Sequence, residues 1–248
     1  MTWEEVEKAQ QRCDVAIIPI GSLEQHGYHL PEGTDTMVAI KLAEDVAQKT
    51  GAVVAPPLWF GWSPHHMALP GTVSVRPEVL IELVSDVCRS LVHHGFKKLV
   101  IINGHRLVNI PWLQLTAGRT QEETGAQVVL VDPAYIGKEI AGKLDFGAIG
   151  HADEIETSHM LFIHPELVSM DKAKGYRPSE RKLYHIDPRS TKDTLVYIPS
   201  RKEDVGKLRD VSGGSVGEPK KASNQTGREL HHNLVANIVK VVDELKYS

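Results

Sequence analysis

The sequence predicts an α/β protein, a single three-layer α/β/α sandwich with a mostly parallel sheet that spans residues 1–248 as one domain. Short apolar runs alternate along the chain with amphipathic stretches of about ten or more residues, which is the pattern of βαβ units. The apolar runs are continuous, as expected for strands that are buried on both faces of a parallel sheet. A length of 248 residues suits one large domain of this class.

The predicted strands are short runs rich in valine and isoleucine. The first begins at Val15 and breaks at Gly21, and the second ends at Pro56. Glycine and proline are the strongest local punctuation of secondary structure, so these positions mark strand ends. The predicted strands cover residues 15–20, 52–55, 98–103 and 127–131.

The predicted helices carry apolar residues three or four positions apart, on one face. Thr2 precedes the first helix and Glu4 lies in its first turn, where the helix dipole favours acidic side chains. The helices cover residues 2–12, 36–49, 76–94, 109–123, 133–143, 154–163 and 222–246. Between 169 and 217 the periodicity is poor, and turns with irregular strands are expected.

Composition and charge exclude several classes of protein. A net charge of −4 provides no basic footprint for nucleic acid. No apolar run is long enough to span a membrane, and an amphipathic stretch follows Met1 directly, so neither a membrane protein nor a signal peptide is expected. The cytoplasm is therefore the expected compartment. Cys13 and Cys88 lie in unlike contexts and are expected to be buried free thiols.

Side chains that bind metals follow the predicted strands. The densest group lies in the stretch from 18 to 35, where the first strand runs into a loop. Ligands of open α/β sheets bind beyond the carboxyl ends of the strands, so segments that follow different strands can converge there. Hard divalent ions take carboxylate oxygen and imidazole nitrogen together. The candidate ligands and proton carriers are Glu24, His26, His29, Asp35, His105, His151 and Glu156.

Several of these candidates also have a purely structural interpretation. Asp35 could be the N-cap of the helix that follows it. His105, which follows a glycine at a strand end, could be a core histidine. Glu154 could orient His151, or it could serve the dipole at a helix N-terminus. The individual signals are weak, and their occurrence at consecutive strand ends is what favours a metal site.

A long loop from 58 to 74 mixes aromatic and polar residues, and loops of this length in compact domains tend to be functional. Trp59, Trp62 and His66 could line a substrate pocket, although packing on the sheet would also explain the aromatic residues. Two His-His pairs on predicted helices are expected to face solvent without a function. They are His93, His94, His231 and His232.

Several blocks of the sequence resemble the creatininase (creatinine amidohydrolase) family. The family signature is matched by PIGSLEQHGYHLPEGTD at 19–35, and its second block by FGWSPHHMALPGTVSV at 60–75. The third block is matched by NGH at 103–105 and the fourth by HADEIETS at 151–158. SVGEPKKASNQTGREL, from 215, resembles the segment that leads into the last helix. Since these blocks occur in order over nearly the whole chain, the protein is identified as a member of the family.

The resemblance implies a site for two divalent metal ions per chain, zinc or manganese. Glu24 and His26 would each bind one ion, and Asp35 would bridge both. His105 and Glu156 would complete the two sets of ligands. A separate position, His151, matches the catalytic histidine of the family. The resemblance further implies the α/β/α sandwich, a small polar cyclic substrate and assembly as a homohexamer.

Two departures from creatininase itself bear on the substrate. Leu107 stands where creatininase has an acidic residue, and residues 147–150 replace an aromatic and acidic loop. Creatinine is therefore not the expected substrate. The planar fork of Arg106 pairs with carboxylate, phosphate or several hydroxyl oxygens, which favours a polyoxygenated or anionic substrate. The block around Arg106 resembles the branch of the family that hydrolyses keto-inositols (3-dehydro-scyllo-inosose).

The sequence leaves three hypotheses of function. In the first, metal coordination lowers the pKa of a water to about 7, the resulting hydroxide attacks the carbonyl of a cyclic amide or keto-inositol ring, and His151 carries the proton. The second is hydrolysis of a C–C bond in a diketone of inositol catabolism. The third is a metal-binding or sugar-derivative-binding protein without catalysis, which would need no proton carrier at His151.

Overall fold

A computed structural model of the protein describes residues 1–147, 149–177, 189 and 198–247. Within these residues the sheet has four strands in the order β2-β1-β3-β4, and every pair is parallel. Ile20, the last residue of β1, lies opposite Asn103, the last residue of β3. The loops that follow these two strands therefore leave the sheet side by side. The strands are β1 (Val15–Ile20), β2 (Val53–Val54), β3 (Lys98–Asn103) and β4 (Gln127–Val131).

The first helix precedes β1, and the other helices lie between and after the strands. The longer ones are α1 (Trp3–Arg12), α2 (Thr34–Thr50), α3 (Pro77–His93), α4 (Ile110–Thr124), α7 (Glu154–Ile163) and α10 (Asn224–Tyr247). The shorter ones are α5 (Pro133–Ile136), α6 (Lys138–Lys143), α8 (Lys202–Gly206) and α9 (Arg209–Ser212). Single 3₁₀ turns occur at His66–Ala68, Pro165–Leu167, Met170–Lys172 and Pro219–Lys221. None of the helices in the described residues is both long enough and apolar enough to cross a membrane.

Two hydrophobic cores cover the two faces of the sheet. Successive side chains of a strand point to opposite faces, and β1 divides accordingly. Val15 and Ile17 pack with α2 and α10, whereas Ala16 and Ile18 pack with α3 and α4. The sheet is thus covered on both sides, which confirms the predicted three-layer α/β/α sandwich. Cys88 lies in the second core, and both cysteines are buried and free, as predicted.

Two predictions of secondary structure are wrong. The helix predicted over 133–143 is divided into α5 and α6 at Gly137, which ends α5 and packs against Leu234 of α10. The irregular strands predicted over 169–217 are short helices and turns in the described part of that range, with isolated bridges such as Tyr176–Gly217. The described part of that range has no run of apolar residues that could pair along a sheet. The predictions for 178–188 and 190–197 fall outside the described residues.

The prediction that His231 faces solvent is also wrong. Its side chain is fully buried where α10 packs on α7 and α2. One ring nitrogen, Nδ1, lies 2.8 Å from Nε2 of His159, and the other donates to Asp45 at 2.9 Å. His231 adjoins Leu230 in the buried face of α10, and these hydrogen bonds satisfy the polar atoms of its ring. The exposed histidines of the two pairs are His93, His94 and His232, as predicted.

Candidate metal and active site

The candidate ligands meet at the carboxyl end of the sheet. Glu24 and His26 lie in the loop after β1, and His105 follows β3. Two carboxylates come from helix N-termini, Asp35 from the first turn of α2 and Glu156 from the first turn of α7. Four of the five side chains are at least 95% buried, and Glu156 is partly exposed. The fold thus gathers residues that are up to 132 positions apart in sequence, from Glu24 to Glu156.

A glycine allows α2 to approach the end of β3. A Cβ atom on Gly104 would lie 2.0 Å from the carbonyl oxygen of Asp35, far inside van der Waals contact. The Gly104 backbone also donates a hydrogen bond to the Ile20 carbonyl at 2.7 Å, which ties the ends of β3 and β1 together. Gly104 therefore sets the distance between His105 and Asp35.

We expect Gly104→Ala to lower the free energy of unfolding by about 3 kcal/mol, because the backbone of α2 must move to admit the methyl group. Gly118→Ala is the matched control, since Gly118 lies in α4 with no atom within 4 Å of the added Cβ. That change should be neutral or stabilising by up to about 1 kcal/mol. Urea unfolding of the two variants measures both values, and equal stabilities would contradict this account of Gly104.

The gathered side chains form two groups of three that could each hold a metal ion. Within each group the ligand atoms lie within 4.8 Å of one another. Asp35 belongs to both groups. Its Oδ2 lies 3.0 Å from Nδ1 of His105, and its Oδ1 lies 3.2 Å from Nε2 of His26. The first triad is Glu24, Asp35 and His105, and the second triad is His26, Asp35 and Glu156.

The structural alternative for Asp35 is wrong. The N-cap of α2 is Gly33, and no side chain makes the capping hydrogen bond there. The carboxylate of Asp35 points to the two histidines, one oxygen to each. A carboxylate placed in this way can bridge two ions.

The electrostatics of the triads fit divalent cations. Burial would lower the pKa of His26, but the carboxylates of Asp35, Glu156 and Glu24 outweigh it and raise that pKa to about 10. Burial raises the pKa of Glu156 to about 8. Among the described residues, Nε2 of His26 and Oδ2 of Asp35 are buried without a hydrogen bond of good geometry. His26 and Glu156 thus hold protons at positions where metal cations would balance the negative charge of the carboxylates. A donor set of carboxylates and imidazoles suits zinc or manganese.

Both histidines of the two triads have one ring nitrogen fixed by a hydrogen bond. Nδ1 of His26 donates to the Glu24 carbonyl at 3.0 Å, which leaves Nε2 toward the second triad. Ser63 donates its single proton to Oε2 of Glu24 at 2.5 Å, so Nε2 of His105 at 3.2 Å must donate to Ser63. Nδ1 of His105 is then the nitrogen that faces the first triad. Hydrogen bonds of this kind orient metal ligands in known sites.

His151 stands beside the triads. Its Nε2 donates to the Gln25 carbonyl at 2.5 Å, and its Nδ1 lies 3.6 Å from Oε1 of Glu24. Its ring centroid is 4.4 Å from that of His26. Burial, together with positive charge on His26, lowers the pKa of His151 to about 4. His151 is therefore neutral at physiological pH, with Nδ1 as a proton acceptor at the site.

Glu154 makes its hydrogen bond to the loop that precedes His151. Its Oε2 accepts a hydrogen bond from the backbone of Gly147 at 2.8 Å, and it lies in the first turn of α7. The N-cap of α7 is Asp153, which accepts hydrogen bonds from the backbone of Ile155 and Glu156. Glu154 thus holds Gly147 in the loop that precedes His151, and no hydrogen bond or ion pair joins Glu154 to His151 among the described residues.

A cavity of about 320 Å³ opens above the triads. Glu24, Asp35, His105, His151 and Glu156 line its floor. Of the four predicted substrate-binding residues, His66 and Arg106 line the cavity. The cavity is large enough for a small cyclic substrate.

The structure does not bring Trp59 and Trp62 to this cavity. Trp59 is 37% exposed and covers Gly33 at the start of α2. Trp62 packs against the hydrophobic core of α3 and α4. Trp62 thus follows the packing alternative, whereas Trp59 contacts α2 and stays partly exposed.

Asp132 is a cavity residue that the sequence did not single out. It follows β4 and lies 3.3 Å from Nε of Arg106, whose guanidinium lies 5.2 Å from the centroid of the Tyr135 ring. The other oxygen of Asp132 caps α5 through the backbone of Ala134. Asp132 therefore fixes the position of Arg106 and offsets its charge. The sequence also did not predict Ser63 and Gln25 as residues of the site, because hydroxyl and amide side chains carry no motif of their own.

Comparison with known proteins places the chain among hydrolases. The family described as Creatinine amidohydrolase (Creatininase) matches residues 1–242. A 3-dehydro-scyllo-inosose hydrolase of Thermotoga maritima is 34% identical over an alignment of 199 positions that covers 75% of this chain and 62% of that protein. The creatinine amidohydrolase of Pseudomonas putida is 28% identical over an alignment of 263 positions that covers 98% of this chain and 95% of that one. A solved mutant creatininase of the Zn–Zn type superposes with a TM-score of 0.82 at 26% identity, covering 99% of this chain and 96% of the other.

Proposed function

The chain belongs to the creatininase family of metal-dependent hydrolases, and we propose that it hydrolyses a small polar cyclic substrate at a pair of divalent ions, zinc or manganese. The observation that carries this proposal is the pair of ligand triads that share Asp35 at the floor of one cavity. Ions held there would acidify water and polarise a carbonyl, which are the usual contributions of metals to hydrolysis. We propose that residues 1–248 form a single domain that carries this activity.

His151 is the proposed proton carrier. Because Nε2 is held by the Gln25 carbonyl, Nδ1 is the nitrogen that can accept a proton from water and deliver it to the leaving group. In a cyclic amide the leaving atom is nitrogen, and in a diketo ring it is carbon. The rival hypothesis of a non-catalytic binding protein gives this neutral, anchored histidine a role only as a further metal ligand, with Glu24 and His26.

The pair of Arg106 and Asp132 supports a neutral, hydroxyl-rich ring as the substrate. Arg106 can bind several hydroxyl oxygens with its planar fork. Asp132 compensates the positive charge of Arg106. An anionic substrate would therefore be attracted to this wall of the cavity less strongly than to an arginine without a neighbouring carboxylate. Ring opening of a keto-inositol by C–C hydrolysis is therefore the favoured reaction, as the name of the Thermotoga maritima relative also suggests. A cyclic amide is the second candidate, as the creatinine amidohydrolase relative suggests.

The test is a screen of keto-inositols and cyclic amides with protein reconstituted in zinc or manganese, followed by mass spectrometry of the products. We expect addition of one water to a keto-inositol with opening of its ring. Turnover of cyclic amides alone would favour the second candidate. Metal-loaded protein that binds these compounds but converts none of them would support the binding protein instead.

Replacement of Arg106 tests the choice of substrate. We expect Arg106→Gly to abolish turnover of the hydroxylated ring while the metal content stays unchanged, because Arg106 lines the cavity but belongs to neither triad. Arg119→Gln is the control, since Arg119 lies on the surface in ion pairs with Glu82 and Glu123. Steady-state kinetics with elemental analysis measures both properties. Unchanged turnover in Arg106→Gly would contradict the role of this residue.

We also propose that the chain assembles as a homohexamer. Four apolar side chains of the long loop after β2 are between 37% and 45% exposed, as suits a contact between subunits. They are Trp59, Phe60, Met67 and Val73. Light scattering after size-exclusion chromatography gives the mass of the assembly directly.

A further inference from the structure

Gln25 lies between two candidate metal ligands in the sequence and is 4% exposed. Its side-chain Oε1 accepts a hydrogen bond from the backbone N–H of Gly27 at 3.1 Å. A backbone N–H can only donate, so this contact fixes which end of the amide is oxygen. The amide nitrogen then faces Nδ1 of His66 at 2.7 Å, and it must donate to that nitrogen.

This hydrogen bond decides where neutral His66 carries its proton. With Nδ1 as acceptor, the proton lies on Nε2. Nε2 of His66 points to Oε1 of Glu24 at 3.5 Å. That separation is longer than a normal N–H···O hydrogen bond. His66 thus presents a donor at the floor of the cavity without a close acceptor for it in the described residues.

His151 presents an acceptor nitrogen to Oε1 of Glu24, where His66 presents a donor. Its Nε2 donates to the backbone carbonyl of Gln25, so its Nδ1 is an acceptor, 3.6 Å from the same oxygen of Glu24. The two rings are stacked with centroids 4.2 Å apart and planes inclined by 31°. One residue, Gln25, therefore sets a donor on His66 and an acceptor on His151, and both converge beside the metal triads.

We propose that His66 is a second catalytic residue, whose Nε2–H donates a hydrogen bond to the substrate carbonyl oxygen, and that Gln25 is the positioning residue that holds this polarity. The inference rests on the proposed function and adds to it a protein donor for the negative charge that develops on a carbonyl oxygen under attack. No bond to His66 forms or breaks. Removal of one such donor typically costs about 10²- to 10³-fold in kcat.

If His66 had a structural role only, its replacement would change the metal content of the protein and leave kcat per bound metal unchanged. If His66 only supported Glu24 as a ligand, its loss would weaken metal binding, as loss of residues behind metal ligands does. The kcat per bound metal would then stay the same. A donor to the substrate lowers kcat at full metal occupancy. Metal content and kcat therefore separate the two roles.

The experiment compares two variants of the zinc-loaded protein. His66→Phe keeps a ring stacked on His151 and removes the donor, whereas His66→Gln keeps an amide N–H near the position of Nε2. On the ring substrate that the wild type converts, we expect kcat to fall by about 10²-fold in His66→Phe and by less than about tenfold in His66→Gln, with equal zinc content. The control is His93→Gln on the surface of α3.

The result that overturns the inference is a kcat per zinc in His66→Phe equal to that of the wild type. If the wild type itself converts no compound of the screen, the proposed function fails, and the catalytic role of His66 fails with it. An active wild type with an active His66→Phe variant overturns the inference alone.

A second measurement needs neither substrate nor a stable variant. Two-bond ¹H–¹⁵N spectra of the zinc-loaded wild type, labelled on histidine, report the tautomer of each ring. We expect the proton of His66 on Nε2 and that of His151 on Nε2, each with Nδ1 unprotonated. A proton on Nδ1 of His66 overturns the inference, because the ring would then present no donor to the cavity.

Discussion

Asp35→Ala should leave the protein without either metal ion, whereas His26→Ala should leave it with one. Asp35 is the residue that the two triads share, and each of its oxygens faces a different histidine. Loss of His26 removes a ligand of the second triad only. The first triad then keeps Glu24, Asp35 and His105. We expect turnover below detection for both variants, because both ions serve one site.

Elemental analysis after zinc reconstitution and desalting measures this difference. Asp86→Asn is the control, since Asp86 is exposed on α3 and pairs with Arg89. Two ions retained in Asp35→Ala would refute the bridge. Loss of both ions in His26→Ala would show that the two triads do not bind independently.

His151→Gln should lower kcat by about 10²- to 10⁴-fold, the usual range for loss of a general acid–base group, with the metal content intact. The glutamine amide can keep the hydrogen bond that Nε2 of His151 makes to the Gln25 carbonyl. It has no counterpart of Nδ1, the nitrogen that faces the cavity. The variant therefore removes proton transfer and preserves the local packing.

Steady-state kinetics at saturating zinc measures this loss. His232→Gln serves as the control, because His232 is exposed on α10. A kcat within about tenfold of the wild type would assign proton transfer to another group. A parallel loss of zinc would mean that His151 acts as a metal ligand, as its place in a third possible group with Glu24 and His26 would allow.

The sequence alone predicted the parts of the fold that have a strong local signal. The strands β3 and β4 and the helix α7 begin and end where their apolar patterns do. The convergence of the segments that carry the candidate ligands followed from one topological rule, that parallel strands present their carboxyl ends at the same edge, and the choice of five ligands among them followed from the family resemblance. That rule needs only the order of strands and loops, and both can be read from periodicity.

The failures share a different cause, which is tertiary contact. A histidine on a helix looks exposed until its neighbours are known, and His231 is buried only because α7 and α2 supply His159 and Asp45 as partners. Gly137 divides a predicted helix at a contact with Leu234, far away in sequence. Tertiary contacts of this kind override local propensity and leave no pattern in a single sequence.

The supporting residues of the site were missed for a similar reason. Ser63 and Gln25 act through hydrogen bonds to Glu24, His105 and His66, and a serine or glutamine in a loop is unremarkable until those partners are known. Asp132 differs, because an acidic residue that directly follows a strand is a candidate site residue that the sequence alone can show. The roles of all three depend on geometry that only the folded chain provides.

The central claim is that two metal ions bind on either side of Asp35. An anomalous difference map of crystals of the zinc-loaded protein, recorded at the zinc edge, tests it most directly. We expect two peaks per chain, one beside Glu24 and His105 and the other beside His26 and Glu156, with one oxygen of Asp35 on each. A single peak, or peaks away from Asp35, would contradict it.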